Sequence, residues 1–110
     1  MSQREHKNLL LICAAGITTG LLVRSIEKIA EEQKIPIHVF SAPSIVAQQI
    51  IKDDTIDAIL IGPQISHEVK RLEELLNHEK IPYRLIEEDS YRLLDGKSIL
   101  EQGMRMLEKN

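Results

Sequence analysis

Four short apolar blocks alternate with amphipathic stretches along this chain. Leu9-Leu10-Leu11-Ile12 is an unbroken apolar run, the pattern of a strand buried on both faces of a parallel sheet. Leu22, Ile26, Ile29 and Ala30 then recur at helical spacing, with Arg24, Glu27, Lys28, Glu31 and Glu32 between them. Pro36 disfavours helix at Ile35, so this first helix should stop near Lys34. Ile37-His38-Val39-Phe40 predicts a second strand, and Ser41-Ala42-Pro43 a capped helix start with Ile45, Val46, Gln49 and Ile50 facing inward. Asp57-Ala58-Ile59-Leu60-Ile61 predicts the third strand. Gly62-Pro63-Gln64 leads from it into a helix striped by Ile65, Val69, Leu72 and Leu76. Tyr83-Arg84-Leu85-Ile86 reads as the fourth strand, and a last helix from about Asp95 carries Ile99, Leu100, Gly103, Met106 and Leu107 inward. Lys34-Ile35-Pro36 and Lys80-Ile81-Pro82 echo each other before strands two and four, as repeated helix-to-strand turn chemistry.

Strands alternating with helices imply right-handed crossovers. The expected fold is therefore α/β: a doubly wound, four-stranded parallel sheet of order 2-1-3-4 with helices on both faces. Ligands of such sheets bind beyond the carboxyl ends of the strands where the order reverses, here between strands one and three. The loops that matter are Cys13 to Gly20 and Gly62-Pro63-Gln64, with Ser41-Ala42-Pro43 at one flank and Glu87 to Tyr91 at the other.

Composition narrows the function. The 110 residues, 43% hydrophobic, suit one domain, expected over residues 8–110 behind a polar extension at 1–7. A formal charge of -3, with no basic block interleaved with aromatics, argues against nucleic acid. The longest apolar run, Leu9 to Ile17, falls far short of the roughly 20 residues of a membrane-spanning helix, and no secretion signal precedes it. A lone cysteine fits a reducing compartment, so a cytoplasmic location is expected. None of the four histidines forms a metal-ligand pattern, and no cofactor is called for.

The chemistry gathers at Cys13, at the end of the first strand and before Ala14-Ala15-Gly16-Ile17-Thr18-Thr19-Gly20. Small residues let the backbone curl around a group on the sulfur. Consecutive N–H groups and a helix N-terminus attract an anion, and Thr18 and Thr19 add hydroxyls. The same positive end should lower the thiol pKa. Free cysteine is also among the most buried residue types, and by position alone an inert small hydrophobe is as good a reading as a reactive thiol.

The segment Leu-Ile-Cys13-Ala-Ala-Gly-Ile-Thr-Thr-Gly-Leu-Leu-Val resembles the phosphocysteine loop of the lactose/cellobiose/chitobiose IIB components of the bacterial sugar phosphotransferase system (PTS). Ile61-Gly62-Pro63-Gln64-Ile65 resembles that family's Gly-Pro-Gln-Ile turn, and Tyr91-x-x-x-Asp95-Gly96 its Tyr-Gly-x-x-Asp-Gly segment. The resemblance implies a fold similar to that of low-molecular-weight tyrosine phosphatases. It implies a phosphotransferase whose Cys13 takes a phosphoryl group from a phosphohistidine of the IIA component, with Ala14, Ala15, Gly16, Ile17, Thr18 and Thr19 holding the phosphoryl oxygens. Gly62, Pro63 and Gln64 are the supporting turn. The phosphoryl then passes to a disaccharide carried by the membrane IIC component, to which the protein is peripheral. Two departures stand out: Gly20 where the family often has Ser, and Arg92 where it has Gly. A low-molecular-weight phosphatase is the rival enzyme reading, but its Cys-x5-Arg loop has Thr19 here in place of Arg. A redox-responsive docking domain is the rival outside enzymes.

Lesser residues have plainer expectations. His67 reads as solvated or capping, Glu87-Glu88-Asp89 as a solvated turn, and Asp95 as the cap of the last helix. Ile17 divides evenly between a partner contact and a loop anchor. A monomer is expected for want of an unexplained apolar stripe, and the sugar stays open.

Overall fold

The computed structural model describes residues 6–13 and 17–108, at 17 and 18 the backbone alone. Strands β1 (Lys7–Ile12), β2 (Ile37–Ala42), β3 (Ala58–Ile61) and β4 (Tyr83–Leu85) form one parallel sheet of order β2-β1-β3-β4. Helices α1 (Ile17–Glu32), α2 (Ser44–Asp53), α3 (Val69–Glu79), α4 (Glu88–Arg92) and α5 (Gly96–Glu108) join them, with a 3₁₀ turn at Pro63–Glu68 before α3. The expected sheet order is the observed one.

Alternation along β1 divides the core. Leu9, Leu11 and Cys13 face α1 and α5, among Leu22, Ile26, Ile99 and Leu100. Leu10 and Ile12 face the other way, toward Ala47 and Ile51 of α2 and Leu72 and Leu76 of α3. Both faces of the sheet are thus covered, which is why its central strands have no polar face to spare.

The echoed Lys-Ile-Pro segments are the same turn twice. Lys34 and Lys80 both adopt left-handed backbone, with φ of 57° and 58°. Ile35 N–H donates to Ala30 O at 2.8 Å and Ile81 N–H to Leu76 O at 3.0 Å. Lys34 N–H and Lys80 N–H close the inner bonds to Glu31 O and Asn77 O. This is the Schellman pattern, which satisfies the last carbonyls of a helix before a proline-led strand.

Several boundaries and one face differ from the sequence reading. Helix α1 begins at Ile17, so Ile17 to Gly20 form its first turn and the loop after Cys13 is shorter than expected. Ser41 lies inside β2 and caps nothing; α2 follows Pro43 without a side-chain cap. The inner face of α2 is Ser44, Ala47 and Ile51, while Ile45 is 70% exposed and Val46 also faces out. That seam rests on Ile51 and two small residues, and it packs beside α3. The unexplained apolar surface whose absence favoured a monomer is therefore present at Ile45 and Val46. Helix α4 occupies part of the stretch expected as a loop. Asp95 caps α5 as expected, accepting from Ser98 N–H at 3.1 Å and from the Ser98 hydroxyl at 2.8 Å.

Candidate active site

Cys13 sits where the sheet's central ladders run out. Its N–H donates to Ala42 O at the end of β2 at 3.2 Å, and the preceding Ile12 O accepts Gly62 N–H, just past β3, at 2.8 Å. The residue therefore stands at the reversal point between β1 and β3, beyond the carboxyl ends of the strands. Its side chain turns toward the α1 and α5 side and is only 1% exposed.

Three donors meet the sulfur: the Gly62 N–H, the Tyr91 hydroxyl and the Thr19 hydroxyl. Thr19, 6% exposed, comes from the first turn of α1, and Tyr91 from α4. Gly62 brings backbone close to the sulfur; a Cβ placed there would lie 3.4 Å from Sγ and 2.9 Å from Gln64 Oε1. The Gln64 amide thus folds back over Gly62 beside the thiol. Pro63 opens the 3₁₀ turn that carries Gln64.

Of the residues singled out in the sequence, Cys13, Thr19, Gly62 and Gln64 come together. Ala14, Ala15 and Gly16, with the side chains of Ile17 and Thr18, lie outside the described residues. Tyr91, the tyrosine of the Tyr91-x-x-x-Asp95-Gly96 motif, also reaches the sulfur. It is the partner that sequence spacing missed, since only the fold carries α4 to the end of β1. His67 is exposed and pairs loosely with Glu68 at 3.8 Å. Among the described residues no cluster of His, Cys, Asp or Glu could hold a metal ion.

The expected lowering of the thiol pKa is corrected. Burial pushes Cys13 up from an ordinary 9.0 to about 11; Gly62, Tyr91 and Thr19 pull the other way without overcoming it. The native state thus prefers the protonated thiol. Its contribution to stability is whole below pH 9, fades as the unfolded thiol ionises, and is spent above about 11. Denaturation followed from pH 8 upward should show a loss on the order of 2–3 kcal/mol across that window that Cys13→Ala lacks. The alkylation midpoint should also lie above that of a free cysteine peptide. A midpoint at or below the peptide's, with superimposable stability curves, would return the site to the lowered-pKa reading.

The strand-end thiol, the glycine-led turn after β3 and the helix start after Cys13 are the parts that a sequence comparison can weigh. The sequence model described as "PTS system, Lactose/Cellobiose specific IIB subunit" matches residues 8–102. The chain belongs to this IIB family. The oligo-beta-mannoside-specific EIIB component of Bacillus subtilis (strain 168) is 30% identical over 103 residues, covering 92% of this chain and 96% of that protein. The lactose-specific EIICB component of Staphylococcus haemolyticus is 26% identical over 98% of this chain, which spans 18% of that longer protein. Among solved structures, the cellobiose-specific phosphotransferase IIB component of Borrelia burgdorferi superimposes with a TM-score of 0.78 at 28% identity, over 94% of each chain. This is a IIB component of the sugar phosphotransferase system, on the fold that IIB domains share with low-molecular-weight phosphatases. No helix among the described residues is long and apolar enough to cross a membrane.

Proposed function

We propose that this IIB component is a phosphoryl relay, working in the cytoplasm, whose carrier atom is Cys13 Sγ. The donor is a phosphohistidine of a IIA component and the acceptor a hydroxyl of a sugar bound by a membrane IIC component. The observation that carries the reading is the convergence of an amide and two hydroxyls on one thiol at the sheet's reversal point, in a member of this family.

The chemistry balances without an added base. At neutral pH the thiol, with its pKa raised to about 11, holds its proton. As sulfur attacks phosphorus, the P–N bond of the phosphohistidine breaks, the P–S bond forms and the thiol proton goes to the departing imidazole nitrogen. In the second transfer the sugar hydroxyl attacks phosphorus, the P–S bond breaks, and the hydroxyl proton returns to sulfur. The Gly62, Tyr91 and Thr19 donors oppose the charge that sulfur bears in both transfers. Intact mass after incubation with phosphorylated IIA is the test. One phosphoryl group per chain is expected, and none would end the relay reading.

Docking has a physical counterpart in the exposed start of α2. Ile45 follows the end of β2 by three residues, and Ala42 O holds the Cys13 N–H, so this apolar surface lies at the thiol's end of the sheet. We assign it to the IIA contact. Ile45→Glu should raise the IIA concentration for half-maximal acceptance about fivefold to tenfold, as loss of one apolar interface contact does, with the saturated rate unchanged. An unaltered concentration dependence would move the contact elsewhere.

A further inference from the structure

The segment Tyr91-x-x-x-Asp95-Gly96 belongs to the site for a reason that neither its residue types nor the family match supplies. Helix α4 has only five residues, so the turn around it must hold it in place. That turn is fully bonded. Tyr91 N–H donates to Glu87 O at 3.0 Å, Leu94 N–H to Tyr91 O at 3.1 Å, and Asp95 N–H to Ser90 O at 2.8 Å. Leu94 reverses the chain in left-handed backbone, with φ of 53°. Asp95 then caps α5 through Ser98. Gly96 lets that helix start against α1, since a Cβ there would meet Ser25 Oγ at 2.8 Å. The segment is thus one device that packs α4 on α5 and delivers the Tyr91 hydroxyl to the end of β1.

What that hydroxyl meets is a reacting atom. Sγ is all but covered, whereas a phosphoryl group arriving on it brings three oxygens that need room. Thr19 is buried in the first turn of α1, and Gly62 N–H is shared with Ile12 O. Tyr91 borders open space, a cleft of about 480 Å³ that it lines with Pro63, Gln64, Glu88, Arg92 and Leu94. Tyr91 packs against the core cluster that contains Cys13, so one side chain reaches both the thiol and the cleft.

We propose that Tyr91 is a catalytic residue of the relay, its hydroxyl donating to Cys13 Sγ at rest and passing to a phosphoryl oxygen as the group enters from this cleft. The proposal rests on the relay reading and deepens it. The donor remains a neutral phenol throughout, so the proton ledger given above is unchanged. Its contact turns into a charge-assisted hydrogen bond, stronger than the one to the neutral thiol.

The test is Tyr91→Phe, which keeps the ring and removes only the donor. The saturated rate of acceptance from phosphorylated IIA should fall about tenfold to a hundredfold, with the half-saturating IIA concentration unchanged. A second arm needs no partner. With a small alkylating reagent, the midpoint of thiol reactivity against pH should move upward relative to wild type, a change that lost packing alone would not produce. A wild-type acceptance rate in the variant overturns the proposal and leaves the relay standing. If neither protein accepts a phosphoryl group, the relay reading fails and the transfer role falls with it. An unshifted alkylation midpoint overturns the hydroxyl-to-sulfur contact itself.

Discussion

Cys13→Ser takes up no measurable phosphoryl group from phosphorylated IIA, while the wild-type chain gains one. Three physical points combine in this expectation. Cys13 is the chain's only thiol, so no second sulfur can substitute. A serine hydroxyl is a far weaker nucleophile at neutral pH than a thiol, and removing a nucleophile from a site that acts as a unit costs orders of magnitude, about 10³-fold or more. The replacement also leaves the fold intact. The new hydroxyl inherits the Gly62, Tyr91 and Thr19 partners, so the buried oxygen is not left unsatisfied and stability should stay within about 1 kcal/mol. Superimposable thermal unfolding with no phosphoryl mass on the mutant is the expected pair of results. Phosphorylation of the mutant at wild-type yield would place the acceptor on another residue.

The middle of the sheet was legible in the sequence because its two central strands are buried on both faces and have no alternation to blur them. Leu9 to Ile12 and Ala58 to Ile61 are continuous apolar runs, and they are the two central strands. The stripe of α5 was legible for a related reason: its Ile99, Leu100, Gly103 and Met106 positions are all buried. Helix α2 was not. Its seam is Ser44, Ala47 and Ile51, and Ser44 there bonds Glu68 across to the start of α3, a partner that periodicity cannot reveal. Helix α4 is too short for a helical period to register. Glu88 and Asp89 in its first turn and the Arg92 to Asp89 pair at 2.9 Å favour it locally.

At the site, Cys13 and the turn at Gly62 could be read from small residues placed at strand ends. The direction of the thiol's pKa could not. The positive end of α1 is visible in a sequence, but the depth of Sγ among Leu22, Ile26 and Ile99 is a product of packing. Tyr91 was hidden for the same reason, since nothing short of the assembled sheet relates α4 to the end of β1.

The phosphorylated protein, isolated and left alone, should keep its phosphoryl group far longer than it does with IIC and sugar present. A relay has to hold its cargo at high transfer potential, so its donors should oppose charge on sulfur without promoting attack by water. A phosphatase needs the reverse: a cation on the transferring group and a carboxyl group to manage the proton. Here Thr19 occupies the sixth position after Cys13, where the phosphatase loop carries its Arg, and its hydroxyl bonds the sulfur. Among the described residues no carboxylate is bonded to that sulfur; Glu88 and Arg92 line the cleft, and Arg92 is paired with Asp89. Loss of one such transition-state group typically costs about 10² to 10³ in rate. Hydrolysis should accordingly run at least about a hundredfold slower than onward transfer, and a generic aryl phosphate should not be turned over. The decisive comparison follows intact mass of the phosphorylated chain over time, with and without IIC and sugar. Equal loss in the two, or brisk turnover of the aryl phosphate, would turn the reading toward a phosphatase.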